Sequence, residues 1–270
     1  MKSRILSFLV AVLAVVGVYC GWRYYDDVIK PEKQIASADD EQNELFSQIK
    51  PTQEITAATT VTTTSLHTEK AVTTTVTAEE IDYLADAAKI NSSVVGWITI
   101  PGTHIDFPIA QADDNEFYLH NGFDKKYNYE LGCPFLDFRC RSDLSGFNSI
   151  VYAHHMTEQR MFADIALFKD SAFMEANPVG YLTQHDGVHT VRFFAYLNVP
   201  DDSMIYRVTD FEEREEYLDI LYSSADYAVI DRKEINETDR LLLLSTCTYE
   251  YKDARGVLVG IIESTIEQQE

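Results

Sequence analysis

Three short stretches of this chain carry residue types that could do nucleophilic chemistry. The first is LLLLSTCTYE, residues 241–250. Four leucines followed by Ser-Thr-Cys read as a buried strand emerging at a site, and a rigidly held Cys247 is what a thiol nucleophile requires. A core cysteine is the competing reading, because free cysteine is among the most buried residue types. The second is SIVYAHHM, residues 149–156, where another β-type run ends in His154-His155. Histidine exchanges protons near neutral pH and is the natural partner of a thiol; a surface or hydrogen-bonded histidine is the alternative. A metal pair is a poor reading, since adjacent strand residues face opposite ways and no carboxylate stands at ligand spacing. The third is Arg255 in YKDARGVLVG, residues 251–260. If 241–246 and 256–263 are neighbouring strands, Cys247 and Arg255 share one end of the sheet. A guanidinium there stabilises an oxyanion or a thiolate, unless it is taken up in a surface salt bridge to Asp253 or Glu250.

The elements that must position these groups follow from patterning. In VVGWITIPGTHIDFPIAQ, residues 94–111, Val95, Trp97 and Thr99 alternate with their neighbours, as do Ile105, Phe107 and Ile109, around a Pro101-Gly102 turn. Further strand signals fall at 134–138, 149–154, 191–199, 227–230, 241–246 and 257–263. Helical spacing covers 78–90, opened by a Thr77/Glu80 capping box, then 161–169, and 211–224 with Phe211, Tyr217, Leu218 and Leu221 inward. Many short strands with a few inserted helices predict a mainly β barrel or sandwich.

Ahead of this domain, residues 5–22 (ILSFLVAVLAVVGVYCGW) carry no charge and follow Lys2 and Arg4. They predict a transmembrane signal anchor over 5–22 with a short cytoplasmic tail, 1–4. A cleaved signal peptide is the rival, but the run ends without a small-x-small site, and Tyr19 before Cys20 does not suit a lipoprotein. Residues 23–77 are expected to be an extracellular stalk. It could begin as a short helix, and its stretch 51–77 has twelve threonines in 27 residues, too little apolar surface to offset ordering. The folded domain is expected over 78–270. A net charge of −22 argues against a nucleic-acid partner. Of the four cysteines, Cys20 lies in the apolar run, and Cys133 and Cys140 are expected to be unpaired. No C-x-x-C pair stands in the chain, which argues against a thiolate zinc site, and no cofactor is expected.

Taken together, TCTYEYKDAR with Leu-Ser-Thr-Cys before it resembles the active-site strand pair of sortases, of class B in particular. INSSVVGWITIPGTHIDFPI, DNEFYLHNGFD at 114–124, PFLDFR at 134–139, YAHHM and MFADI at 161–165 extend the resemblance from about residue 79 to the C-terminus. It implies an eight-stranded sortase β-barrel with N-terminal helices and an inserted helix before the cysteine strand. It implies catalytic Cys247, His154 (not His155) and Arg255, with Thr246, Ser245 and Tyr249 contacting substrate. Ala153 stands where the family usually has glycine. The implied activity is cysteine transpeptidation at the cell membrane, with the catalytic domain extracellular. The implied partners are secreted proteins with a C-terminal sorting motif, cleaved after Thr, and a cell-wall amine. A cysteine hydrolase and an inactive surface-binding homologue are the alternative readings.

Overall fold

Pro101 and Gly102 form the turn that the sequence calls for. Thr103 N–H donates to Ile100 O at 3.2 Å, and Gly102 has a φ of +78°, a conformation that glycine adopts without strain. The turn folds β1 (Val94–Thr99) against β2 (Asp106–Gln111) as an antiparallel pair. The computed structural model containing this hairpin describes residues 2–51, 81–156 and 158–263. The expected capping box at Thr77 and Glu80, and all but the first residue of the Thr-rich 51–77 stretch, lie outside the described residues.

Beyond the hairpin, the order continues through β3 (Phe135–Leu136), β4 (Asn148–Tyr152), the small pair β5 (His155–Met156) and β6 (Arg160–Met161), β7 (Val179–Gln184), β8 (Gly187–Pro200), β9 (Ala225–Ala228), β10 (Arg240–Cys247) and β11 (Ala254–Ile262). The sheet runs β11-β10-β4-β3-β2-β1-β7-β8-β9, and a β11–β8 ladder joins its ends. Eight strands therefore close into a barrel, with β9 outside the closure. Closure leaves no exposed edge at the strands that carry the site. The strands at 134–138, 149–154, 191–199, 227–230, 241–246 and 257–263 all stand near their expected places. β7 does not announce itself in the sequence: it pairs with β1, and with β8 across a tight His185-Asp186 turn, yet offers only Tyr181 and Leu182 as large apolar residues.

The helices are α1 (Lys2–Tyr24), α2 (Lys30–Ile49), α3 (Ala85–Ile90), α4 (Phe117–His120), α5 (Ser171–Ala176) and α6 (Arg214–Ser224). The helix expected over 78–90 begins only at Ala85, because the Asp82 carboxylate accepts the Leu84 N–H and holds a turn there. The 161–169 segment is a 3₁₀ helix, Ala163–Lys169. α6 buries Tyr217, Leu218 and Leu221 as patterned.

A π-helical turn, Tyr25–Ile29, links α1 to α2. α2 lies against the barrel. Phe46 is buried, edge-on to Trp97, Phe107 and Phe123 at centroid distances of 5.8, 6.1 and 6.1 Å. The helix foreseen after residue 23 is thus docked on the barrel through Ala38, Gln42, Phe46 and Ile49. Among the described residues, no helix is long and apolar enough to cross a membrane. The span expected over 5–22 is therefore not supported by the structure.

Candidate active site

The placement of the functional groups is set by strand register. β10 is buried on both faces through Leu241, Leu242, Leu243 and Leu244, and both its edges are paired, antiparallel to β11 on one side and parallel to β4 on the other. Its last residue, Cys247, pairs directly with Arg255, and directly opposed residues project to the same face. On the other side, Ser245 is level with Tyr152. The alignment continues past the end of β4: Ala153 N–H donates to Ser245 O at 3.2 Å, and Thr246 Oγ1 donates to Ala153 O at 2.9 Å. Cys247 and Arg255 thus share a rung of β10 and β11, and His154 follows two residues past the end of β4, on the other side of β10. All three line one groove of about 1110 Å³.

The floor of that groove continues along the same faces to Ser245, Tyr152 and Phe135. One wall is the 115–119 segment and the other is the irregular stretch 201–210. That stretch is fixed to the barrel at several points. Tyr206 Oη hydrogen-bonds Ser245 Oγ at 2.9 Å, Asn148 Nδ2 donates to Arg207 O and Thr209 N–H donates to Asn148 Oδ1, and Tyr217 Oη donates to Ile205 O. Burial pushes the Tyr206 phenol up to about 12, so it remains a neutral hydrogen-bonding group at neutral pH.

Cys247 is partly exposed, whereas Cys133 and Cys140 are free and buried. Burial pushes the Cys133 thiol well up and raises Cys140 to about 11, which keeps both protonated and inert. The guanidinium of Arg255 donates to Ala254 O at 3.1 Å and meets Asp201 Oδ2 at 3.4 Å. Its carboxylate partner is therefore Asp201, on the groove wall. Asp253 and Glu250 go elsewhere, Asp253 to Lys252 and Glu250 to Lys169 and Asn198.

No family model matches the chain. Sortase B of Listeria monocytogenes is 34% identical over 199 residues, covering 73% of this chain and 80% of that protein. This chain belongs to the class B sortases. Sortase B of Staphylococcus aureus is 31% identical over 176 residues, 64% of this chain and 70% of that protein. The crystal structure of Clostridium perfringens sortase B superposes with a TM-score of 0.61 at 32% identity, over 67% of this chain and 99% of that one. The chain is accordingly an enzyme of the sortase kind, a cysteine transpeptidase on a closed eight-stranded barrel.

Within this sortase, the groove receives some of the expected substrate-contacting residues and not others. Ser245 lies on its floor. Thr246 also lines the groove, but its hydroxyl is used on Ala153 O, so it fixes the segment that leads into His154. Tyr249 is 80% exposed and lies outside the groove, its ring edge-on to His155 and its hydroxyl donating to His155 O at 3.2 Å. Ala153 fits beside β10 without disturbing that ladder. Leu119, Arg139, Tyr152 and Tyr206 were not singled out from the sequence. Tyr152 had a signal, two residues before His154 on the same strand face; Tyr206 had none, since its position depends on the 201–210 stretch.

Arg139 is held by Asp137, a fully buried carboxylate. Asp137 accepts from Arg139 Nε and Nη2 at 2.9 and 2.6 Å, from Asn115 Nδ2 at 3.0 Å and from Tyr152 Oη at 3.0 Å. Burial alone would raise the Asp137 pKa, but the hydrogen bonds from Arg139 and Asn115 outweigh it and hold the group below the ordinary carboxylate range. A carboxyl depressed in the native state stabilises the fold above its unfolded pKa of about 3.9, and that stability is lost as pH falls through the lower native value. Asp137→Asn is expected to cost about 2 kcal/mol at pH 7, less than a fully buried pair would, because the Arg139 side chain is 44% exposed. Urea unfolding at pH 7 and pH 3 checks it: the difference between wild type and variant shrinks in acid. A difference that is the same at both pH values would place the cost outside this ion pair.

Proposed function

We propose that this sortase cleaves a sorting motif after threonine in secreted proteins and joins the new carboxyl end to a cell-wall amine. The meeting of His154, just past β4, with Cys247 on β10 and Arg255 on β11 in one groove carries the reading. Cys247 Sγ, its proton passed to His154, attacks the threonine carbonyl, and the Arg255 guanidinium hydrogen-bonds the oxyanion as it develops. His154 protonates the departing amine, leaving a thioacyl enzyme; the incoming amine then gives its proton to His154 as it displaces the sulfur. The groove running from Cys247 past Ser245, Tyr152 and Tyr206 suits an extended peptide. Two relatives support the two half-reactions: the Staphylococcus aureus enzyme has been solved as a substrate complex, and another sortase B as a complex with triglycine.

Membrane attachment through residues 5–22 belongs to the same reading. It is supported by the absence of charge in that run and by the exposure of Val12, Leu13, Val15, Val16, Val18 and Trp22. The domain would then act at the outer cell surface, as the family suggests, beginning near residue 78 with α2 as an added support.

The test is a peptide-library cleavage assay on the full-length chain, with and without a primary amine, read by mass spectrometry. The expected result is a threonine-terminated product that shifts from hydrolysed to amine-ligated as amine is added. Cleavage that yields hydrolysed product at every amine concentration would make the enzyme a hydrolase.

A further inference from the structure

One of the two ring nitrogens of His154 is already engaged. Nε2 lies 2.9 Å from the backbone carbonyl of Leu119. A carbonyl only accepts, so Nε2 carries the hydrogen, and in the neutral ring Nδ1 keeps the free lone pair. Leu119 can offer this carbonyl because α4 is four residues long, and the last carbonyls of a helix have no partner within it.

A neighbouring loop fixes where that carbonyl sits. Lys125, Tyr129, Glu130 and Gly132 all have positive φ, so the 125–132 segment is tightly wound, and Asn128 holds it. Asn128 Oδ1 accepts the Gly132 N–H at 2.9 Å, and Asn128 Nδ2 donates to Gly132 O at 3.0 Å. The same Nδ2 reaches Gln42 Oε1 on α2 at 3.0 Å. Gly132 in turn packs against both partners of the histidine bond. A Cβ there would lie 2.7 Å from Tyr118 O, 3.0 Å from Leu119 O and 3.2 Å from His154 Cδ2. The next residue, Cys133, donates its N–H to Tyr118 O at 3.0 Å. Gln42 is nearly fully buried, and its own Nε2 has no partner among the described residues. That costs free energy, yet its carbonyl end stays on Asn128.

We propose that Asn128 and Gly132 are positioning residues for His154: they hold the Leu119 carbonyl on Nε2–H, so that Nδ1 is the nitrogen that moves the proton, and Gln42 couples this arrangement to α2. The proposal deepens the role given to His154 above and rests on it. A main-chain carbonyl takes the place of the carboxylate that orients histidine in a hydrolase triad. The wrong tautomer presents a hydrogen where a lone pair is needed, so the positioning acts on the chemical step.

Imidazole ¹⁵N NMR of the full-length chain tests this without substrate, with His154 assigned by its loss in His154→Gln. Neutral wild-type His154 is expected to show the Nε2–H pattern. In Asn128→Ala, the Nδ1–H form gains population, and kcat falls by about ten-fold, part of what positioned proton transfer supplies, while KM stays within about two-fold. Gln42→Ala shifts the same signals less and serves if Asn128→Ala does not fold. A wild-type spectrum of the Nδ1–H form overturns the proposal, as does a variant whose ¹⁵N shifts match wild type. Because the tautomer is read in the resting enzyme, either failure leaves the role of Cys247 standing. Conversely, cleavage that survives without Cys247 would not alter these spectra.

Discussion

Cys247→Ala abolishes cleavage of any sorting peptide, with a loss on the order of 10⁴-fold or more, as expected when a covalent nucleophile is removed. The size of the effect follows from the absence of an understudy. Cys133 and Cys140 are buried and held protonated by that burial, and Cys20 lies on α1, outside the groove lining. No hydroxyl is placed to take over: Thr246 is committed to Ala153 O and Ser245 to Tyr206. The fold should tolerate the change, because Cys247 is a partly exposed strand terminus and a small truncation there shifts stability by about 1 kcal/mol or less. The two measurements are peptide cleavage by mass spectrometry and thermal melting by circular dichroism. Cleavage within a few-fold of wild type in a folded variant moves the nucleophile elsewhere and removes the basis of the proposed mechanism.

How far these groups were visible in the sequence depended on how local their signals were. β10 and β11 were legible because LLLL and VLVGII are apolar runs that bury on both faces. The Cys247–Arg255 pairing followed from their short antiparallel connection. His154 was legible as a type but not as a position. Its place beside the end of β10 comes from the parallel β4–β10 ladder, which joins segments far apart in the chain and leaves no mark in either. The wall at 201–210 was invisible for a stronger reason. It has little regular structure and is held by Asn148, Tyr217 and Ser245, residues whose pairing only the folded barrel creates. α2 was half visible. Ala38, Phe46 and Ile49 recur at helical spacing, but Gln42 interrupts the apolar face, and its partner Asn128 sits in a loop with no pattern to read. β7 was missed because two large apolar residues do not make an alternation.

Arg255→Ala is the second large effect, and its magnitude decides between two roles for the guanidinium. As a surface ion pair with Asp201, with side chains 28% and 48% exposed, it would be worth at most about 1 kcal/mol, or less than ten-fold in any rate. As the donor to the oxyanion, its removal is expected to lower the acylation rate by about 10²–10³-fold. Single-turnover acylation, measured by rapid quench, separates the two, and Asp201→Ala provides the control, since it removes the ion pair but leaves the donor. The expected result is a large loss for Arg255→Ala and a change of a few-fold for Asp201→Ala. Arg255→Lys should recover little. An ammonium carries its three N–H donors on one nitrogen, whereas Arg255 uses Nη1 on Ala254 O and Nη2 on Asp201 and spreads five donors over a planar fork. Equal losses in Arg255→Ala and Asp201→Ala would assign the arginine to the groove wall and leave the oxyanion to be met by backbone amides alone.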